Sequence, residues 1–256
     1  MSDGSGAPTL RWAWLGTVGY QDAWELQRTV AMARRSGELH DDAVLLLEHP
    51  PVYTMGRQGQ ARHLGEGSES LIAAGAEFLE VDRGGSVTFH GPGQLVAYPV
   101  FDLHPDRLDV RRYVRDLARV MVALARDHGV DASFIEGDAK LVGVWADEAS
   151  PALWAGDPRS PGGARRPAKI GAIGVRLSRW VTMHGFAFNV STDLEGFRLI
   201  VPCGIAAYGV TSLEALGAAH PSVEDVALAS VAHFARTFEA EARMATADET
   251  RALRAV

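Results

Sequence analysis

Two side chains far apart in the chain carry the sharpest chemistry: Cys203, in "LIVPCGIAAYG", and Lys169, in "AKIGAIGVRL". Cys203 is the single cysteine among 256 residues. A free cysteine usually packs as a small hydrophobe. Here a proline precedes it and a glycine follows, and both break regular structure, which points to a turn that presents the thiol. Such a thiol becomes a nucleophile only where a neighbour lowers its pKa and a pocket admits a substrate. Lys169 is flanked by Ala168, Ile170, Ala172 and Ile173. A lone lysine is normally solvated surface, but an amine head held among apolar groups is desolvated and loses its proton readily.

The densest unusual stretch is "RGGSVTFHGPGQ", residues 83–94, with four glycines around a threonine and a histidine. It lacks the Gly-Lys-Ser/Thr ending of a phosphate loop and the spacing of a dinucleotide fingerprint. Its glycines would let backbone N–H groups approach a ligand closely, or would form a pair of tight hairpin turns. His90 taken alone is more often a hydrogen-bonded structural histidine than an acid or base. "TMHGFAFNV" repeats the His-Gly pair at His184 and Gly185. No His/Cys/Asp cluster has zinc spacing, and no G-x-S-x-G elbow is present.

The elements that must position these residues follow from periodicity. "VGYQDAWELQRTVAMARRSG" reads as a helix whose apolar positions Tyr20, Ala23, Leu26, Val30 and Ala31 recur at three- and four-residue steps, with Gly37 as its stop. "DVRRYVRDLARVMVALARDHG" is a stronger amphipathic helix, capped by Asp109 and closed at Gly129. "PSVEDVALASVAHFARTFEAEARM" is the last major helix, and "TSLEALG" opens with a capping-box pattern from Thr211 to Glu214. Strand patterns fill the rest: "DAVLLLEHPP", "EFLEVD", "SVTFH", "QLVAYPVFDL", "ASFIEGDAKLVGVWA", "AKIGAIGVRL" and "RWVTMHGFAFNV". This mixture implies an α+β domain, a mixed β-sheet with flanking helices, rather than strict βαβ alternation. Residues 1–11 read as a disordered tail, 12–240 as one domain, 156–168 ("GDPRSPGGARRPA") as a mobile loop and 241–256 as a C-terminal helical tail.

Charge and composition bound the function. Hydrophobic residues make up 47% and charged residues 22%, as in an ordinary globular protein. The net charge of −7 disfavours general nucleic-acid binding, which needs a basic surface. Arg57, Arg62, Arg83, Arg111, Arg112 and Arg115 could still form a local positive patch if the fold gathers them. One cysteine excludes an internal disulfide and fits a reducing compartment. No apolar run approaches the ~18 residues of a membrane span, and "MSDGSGAPTL" is neither a signal peptide nor an anchor, so a cytoplasmic protein is expected.

Five motifs in one order, "EHPPVYTMGR", "RGGSVTFHGPGQLVAYPVFDL", "AKIGAIGVRL", "TMHGFAFNV" and "PCGI", resemble those of the lipoyl(octanoyl) transferases. The resemblance covers roughly residues 12–240 and implies a fold like the catalytic domains of lipoate and biotin protein ligases. It implies transfer of an octanoyl group from octanoyl-acyl carrier protein to a lysine of lipoyl domains, those of 2-oxoacid dehydrogenase complexes and the glycine cleavage H protein. This would be the first step of endogenous lipoate synthesis. Cys203 matches the thiol that becomes an acyl thioester, and Lys169 its partner. Arg83, Gly84, Gly85, Ser86, Val87, Thr88, Phe89 and His90 match a first substrate-binding stretch. Ala172, Ile173 and Gly174 match a second, and Gly185, Phe186 and Ala187 a third. Ile173, Phe186, Val87 and Phe89 are the expected liners of an apolar acyl slot. No cofactor, metal, nucleic acid or membrane is implied, and a monomer is expected. Two other readings follow from the same fold: an ATP-dependent lipoate or biotin ligase, and a non-catalytic binder of carrier or lipoyl domains.

Overall fold

A computed structural model describes residues 7–60, 63–64, 75–200, 208–219 and 222–246. Its spine is a mixed nine-stranded sheet. In chain order its strands are β1 (Thr9–Thr17), β2 (Asp42–Glu48), β6 (Gln94–Val100), β7 (Ala132–Phe134), β8 (Val144–Asp147), β9 (Pro167–Ser178), β10 (Val181–Asn189), β11 (Gly209–Val210) and β12 (Glu241–Met244). They lie in the order β12-β1-β2-β6-β10-β9-β8-β7, with β11 also paired to β9. A second sheet of three strands runs β4 (Glu77–Glu80), β3 (Val52–Met55), β5 (Val87–His90). Three α-helices are described: α1 (Tyr20–Ser36), α2 (Val110–Asp127) and α3 (Val223–Phe238). The expected α+β class is what the structure has.

Alternation along the strands sorts side chains onto two faces, because successive residues of a strand point opposite ways. Val44 and Leu46 of β2, Leu95 and Ala97 of β6, and Phe186 and Phe188 of β10 join α2 and α3 in the larger core. Ala43, Leu45 and Leu47, Val96, Tyr98 and Val100, and Ala187 face the other way, with α1. The three-stranded sheet has its own cluster of Tyr53, Val87, Phe89 and Ile200, and its Val52 packs with Tyr20 of α1. The aromatic ring of Phe234 in α3 stacks on Phe186 at 5.8 Å and 8°.

The helix ends follow the sequence. Asp109 accepts hydrogen bonds from the N–H groups of Arg111 and Arg112, and Gly37 closes α1 in the left-handed region that a Cβ disfavours. Four expectations change. Thr9, Leu10 and Arg11 are not tail but the start of β1, and Leu10 is buried. The stretch 241–244 is not helix: it pairs in parallel with β1, Thr9 against Glu241 and Trp12 against Met244. Residues 247–256 lie outside the described residues. The last helix therefore stops at Phe238, where Glu239 turns left-handed at φ 56°. The fourth is the Thr211–Glu214 pattern, which opens turns rather than a helix, and the cap is Ser212, whose Oγ accepts from Ala215 N–H at 3.1 Å.

The segment 156–168 is tied at several points. Arg159 bonds Asp157 and the Glu136 carbonyl, the N–H groups of Arg165 and Arg166 donate to Asp147, and Pro167 and Ala168 already belong to β9. Among the described residues no helix is long and apolar enough to cross a membrane.

Removing the ring that joins α3 to β10 should be costly. Phe234→Ala is expected to lose about 3–5 kcal/mol in urea unfolding, the usual cost of deleting a buried aromatic, whereas Asp109→Ala should lose about 1 kcal/mol.

Candidate active site

A cleft opens between the second face of the large sheet and the three-stranded sheet. Its floor is built from unusually small side chains on two paired strands. Ala172 and Gly174 of β9 stand opposite Ala187 and Gly185 of β10, with Val96 and Tyr98 of β6 beside them. The opposite wall is Arg83, Gly85, Ser86, Val87, Thr88 and His90. The cleft holds about 790 Å³ counting its open mouth.

The glycines of "RGGSVTFHGPGQ" serve close approach. Gly84 N–H donates to the Val175 carbonyl at 2.9 Å, which lays the loop directly on β9. A Cβ on Gly174 would stand 2.9 Å from the Gly84 oxygen, and Gly85 has φ +88°. On the other strand, a Cβ on Gly185 would meet the Ala97 oxygen at 2.2 Å. A side chain at Gly174 would force the wall off the floor, and one at Gly185 would press on β6 within the floor itself.

Lys169 sits at the edge of the cleft and is only 9% exposed. Its Nζ donates to the Val142 carbonyl at 3.1 Å and lies 4.8 Å from the centre of the Trp145 ring. Trp145 is itself fixed by an Nε1–H bond to the Leu141 carbonyl at 2.8 Å. The short strand β11 runs alongside, Val210 against Lys169, and Thr211 N–H donates to the Lys169 carbonyl at 3.0 Å. Cys203 lies outside the described residues, as does the whole stretch 201–207. The described residues on its two sides are anchored: Ile200 is buried in the small-sheet cluster, and the Tyr208 ring packs on Trp145 at 5.5 Å.

The wall is held by a buried chain of hydrogen bonds with one polarity. Arg83 Nη2–H donates to Thr54 Oγ1 at 2.8 Å and to the Thr54 carbonyl at 2.7 Å. Thr54 Oγ1 and His90 Nε2 are 3.4 Å apart, and His90 Nδ1 is 2.7 Å from Gln94 Oε1. Gln94 Nε2–H donates to the Phe89 carbonyl and to Asn189 Oδ1. With both Gln94 N–H groups engaged in this way, Oε1 must accept, so His90 carries its proton on Nδ1. Burial, then the neighbouring His49 and Arg83, pushes the His90 pKa well below the ordinary histidine range, so the ring is neutral.

Two further buried histidines share that logic. His49 lies 2.7 Å from the Val18 carbonyl through Nδ1 and 2.8 Å from Tyr98 Oη through Nε2. Burial pushes its pKa down to about 4. His184 occurs at φ +57°, 1% exposed, with Nε2 2.9 Å from Asp82 Oδ1. Burial lowers its pKa against the opposing pull of the Asp82 carboxylate. Asp82 also pairs with Arg176, and its own pKa is lowered, first by the hydrogen bond from His184.

Of the fourteen residues expected to bind substrate, the structure brings twelve to the cleft. Gly84 and Phe89 are the exceptions. Gly84 contributes a backbone bond to β9. Phe89 turns away from the cleft, into Tyr53 at 5.1 Å and Phe197 at 5.5 Å, because alternation along β5 gives it the face opposite Thr88. Of the six arginines of the expected patch, Arg83 is buried inside the wall, Arg57 is exposed beside it, and Arg111, Arg112 and Arg115 sit together on α2, whose core contacts lie on the other face of the large sheet; Arg62 lies outside the described residues. Tyr20, Gln94, Val96, Tyr98, His184 and Asn189 also line the cleft. Gln94, Val96 and Tyr98 recur at period two along "QLVAYPV", a signal that could have placed them on one face with the glycine-rich stretch.

Known proteins were compared with this geometry. The family model of the lipoyl protein ligase A/B catalytic domain matches residues 19–235. An octanoyltransferase of Solibacter usitatus is 44% identical over 227 residues, 89% of this chain and 92% of its own. One from Caldicellulosiruptor saccharolyticus is 39% identical over 241 residues, 94% and 93% of the two chains. Among solved structures, lipoate-protein ligase A bound with ATP aligns with a TM-score of 0.67 at 16% identity, covering 97% of this chain and 93% of that one. The bipartite lipoate protein ligase of Thermoplasma acidophilum gives 0.66 at 18%, covering 98% and 91%. At these identities the structures show the shared fold.

The buried neutral histidines set the acid limit of the fold. An unfolded chain protonates them near pH ~6.5, whereas folded His49 resists down to about 4. In that window the unfolded state binds more protons, so stability is fully present above about pH 6.5 and is lost as pH falls towards 4. His49 alone accounts for at most about 3 kcal/mol. Urea midpoints measured from about pH 7 down to about pH 4.5 should fall steadily, and imidazole NMR signals of His49 should not titrate above about pH 5 in the folded protein.

Proposed function

The chain belongs to the lipoyl protein ligase A/B catalytic-domain family, and within it to the octanoyltransferases; from that premise we propose the reaction in detail. It moves an octanoyl group from the phosphopantetheine thioester of acyl carrier protein to Cys203, and from Cys203 to the Nζ of a lysine on a lipoyl domain. The products are free carrier thiol, an octanoylated lipoyl domain and regenerated Cys203. The acceptors are the lipoyl domains of 2-oxoacid dehydrogenase complexes and the glycine cleavage H protein, and the enzyme works as a cytoplasmic monomer.

One observation supports this reading most directly. A cleft with a floor of Ala172, Gly174, Gly185 and Ala187 ends at a nearly buried lysine, and the return of the chain that carries the thiol is paired to that lysine's own strand. Cys203 is five residues from Tyr208, which is at most about 17 Å of chain. Tyr208 packs on Trp145, the ring under Lys169 Nζ, so the thiol is within reach of the amine.

The first half-reaction exchanges one thioester for another and is close to isoenergetic. The Cys203 thiolate attacks the carbonyl carbon, a tetrahedral oxyanion forms, and the carrier's sulfur leaves and takes its proton from the Lys169 ammonium, which leaves Lys169 a neutral amine for the second half. A Lys169 ammonium beside the thiol stabilises the thiolate. In the second half the substrate amine attacks the acyl-enzyme, Lys169 accepts its proton, and Cys203 leaves as thiolate. Backbone N–H groups, that of Gly204 included, meet the oxyanion. Along the floor about six methylenes leave water, which contributes up to roughly 5 kcal/mol at ~0.8 kcal/mol each. Arg57, exposed and with its N–H on the Arg83 carbonyl of the wall, offers an acidic carrier its electrostatic contact.

The decisive experiment mixes the protein with octanoyl carrier protein, without ATP, and reads intact mass. A single hydroxylamine-labile octanoyl adduct on Cys203 is expected, lost in Cys203→Ser. Adduct-free transfer by Cys203→Ala, or a strict requirement for ATP, overturns the mechanism. Lys169→Ala should slow both adduct formation and discharge. Lys169→Arg should keep part of the first step and lose more of the second, because arginine stays charged at every accessible pH. Rates with carrier protein should also weaken between about 20 and about 500 mM salt, where the Debye length falls from roughly 20 to roughly 4 Å. A salt-independent kcat/KM removes the electrostatic dock.

A further inference from the structure

Asn189, at the end of β10, is a buried polar residue that a hydrocarbon chain gives no use for. Both ends of its side chain are committed. Oδ1 accepts from Gln94 Nε2 at 2.9 Å, and Nδ2 donates to the Thr211 carbonyl at 2.9 Å. Its backbone carbonyl accepts Leu213 N–H at 3.0 Å. Thr211 N–H in turn donates to the Lys169 carbonyl. Asn189 therefore grips the stem that follows β11 from one side while β9 holds it from the other.

β11 is two residues long and, among the described residues, pairs with Ala168 and Lys169 of β9. So short a pairing is weak on its own, and the amide of Asn189 is the buried side-chain bond that keeps it in register. We infer that Asn189 is a positioning residue. It locks β11 onto β9 and so fixes Lys169 relative to the stem of the chain that bears Cys203. The bond sequence from Arg83 through Thr54, His90 and Gln94 ends on Asn189, so the same amide couples the substrate wall to that stem. Every donor in the sequence points the same way, and the Asn189 amide can complete it in one orientation only. The inference rests on the reading of Cys203 as acyl carrier.

Asn189→Asp tests it without changing shape. A protonated carboxyl keeps both roles: one oxygen accepts from Gln94 and the O–H donates to the Thr211 carbonyl. An ionised carboxylate has no proton to donate and sets negative charge against that carbonyl. Burial raises the carboxyl pKa, which brings its titration towards the working range. Single-turnover acylation of Cys203 by octanoyl carrier protein would be measured at saturating donor for both proteins. The variant-to-wild-type rate ratio is expected near one at about pH 6 and about tenfold lower by about pH 8.5, with half-saturation unchanged. Asn189→Leu should be slow throughout. A ratio for Asn189→Asp that does not change with pH, at any level, overturns the inference, since a merely structural fault would not follow carboxyl ionisation.

If wild type forms no Cys203 adduct, the acyl-carrier reading fails instead, and the two failures are distinct. Should Asn189→Asp not fold, hydrogen exchange of the wild-type protein decides. The Thr211 amide should be protected as strongly as those of β9 and β10, and exchange as fast as in an unstructured peptide overturns the clamp.

Discussion

The antiparallel pairing of β9 with β10 is the constraint on which the rest of the molecule depends. It places Gly174 against Gly185 and Ala172 against Ala187, and so makes the shallow floor of the cleft. The same pairing turns Phe186 and Phe188 to the opposite face, where they anchor α2 and α3. One strand end delivers Lys169, the neighbouring strand end delivers Asn189, and β11 is gripped between them. Site and core are thus two faces of a single ladder. A register slip of one residue would exchange them, putting phenylalanines in the cleft and small residues in the core.

The polar side chains of the wall are tolerated inside the second face because they are bonded to one another or to backbone. His49, His90, Gln94, Asn189, Thr54 and Arg83 are all buried and joined to one another or to backbone. An apolar lining alone would bind a hydrocarbon chain but would leave the glycine-rich wall free to slide. The network pins the wall to β3 and β6 while leaving the floor apolar. Neutral histidines suit this use, since a charge on them would carry a large desolvation cost.

Much of this was legible in the sequence, and the parts that were not share a cause. α2 announced itself through its apolar stripe and the Asp109 cap, both local signals. The cleft was legible from five ordered motifs: twelve of their fourteen expected residues line it, although the side chains of Ile173 and Phe186 pack into the larger core. Phe89 went astray because strand alternation, not motif membership, decides which way a side chain points. β12 was read as helix since Glu-Ala-Arg-Met favours a helix intrinsically. Only the open edge of β1, more than two hundred residues earlier in sequence, makes it a strand. Asn189 escaped because its hydrogen bond to Gln94, 95 positions away, leaves no periodic trace.

The β1–β12 pairing has a further consequence for how the protein comes into being. β1 meets β2 within its first fifty residues, but its other edge stays open until Glu241–Met244 have been made. Throughout synthesis the nascent chain therefore offers a row of unpaired backbone groups, the template on which aggregating strands grow. Contacts so distant in sequence form late and close slowly. The emerging polypeptide thus has its greatest need of chaperone shielding along this N-terminal edge, far from the cleft that defines its chemistry.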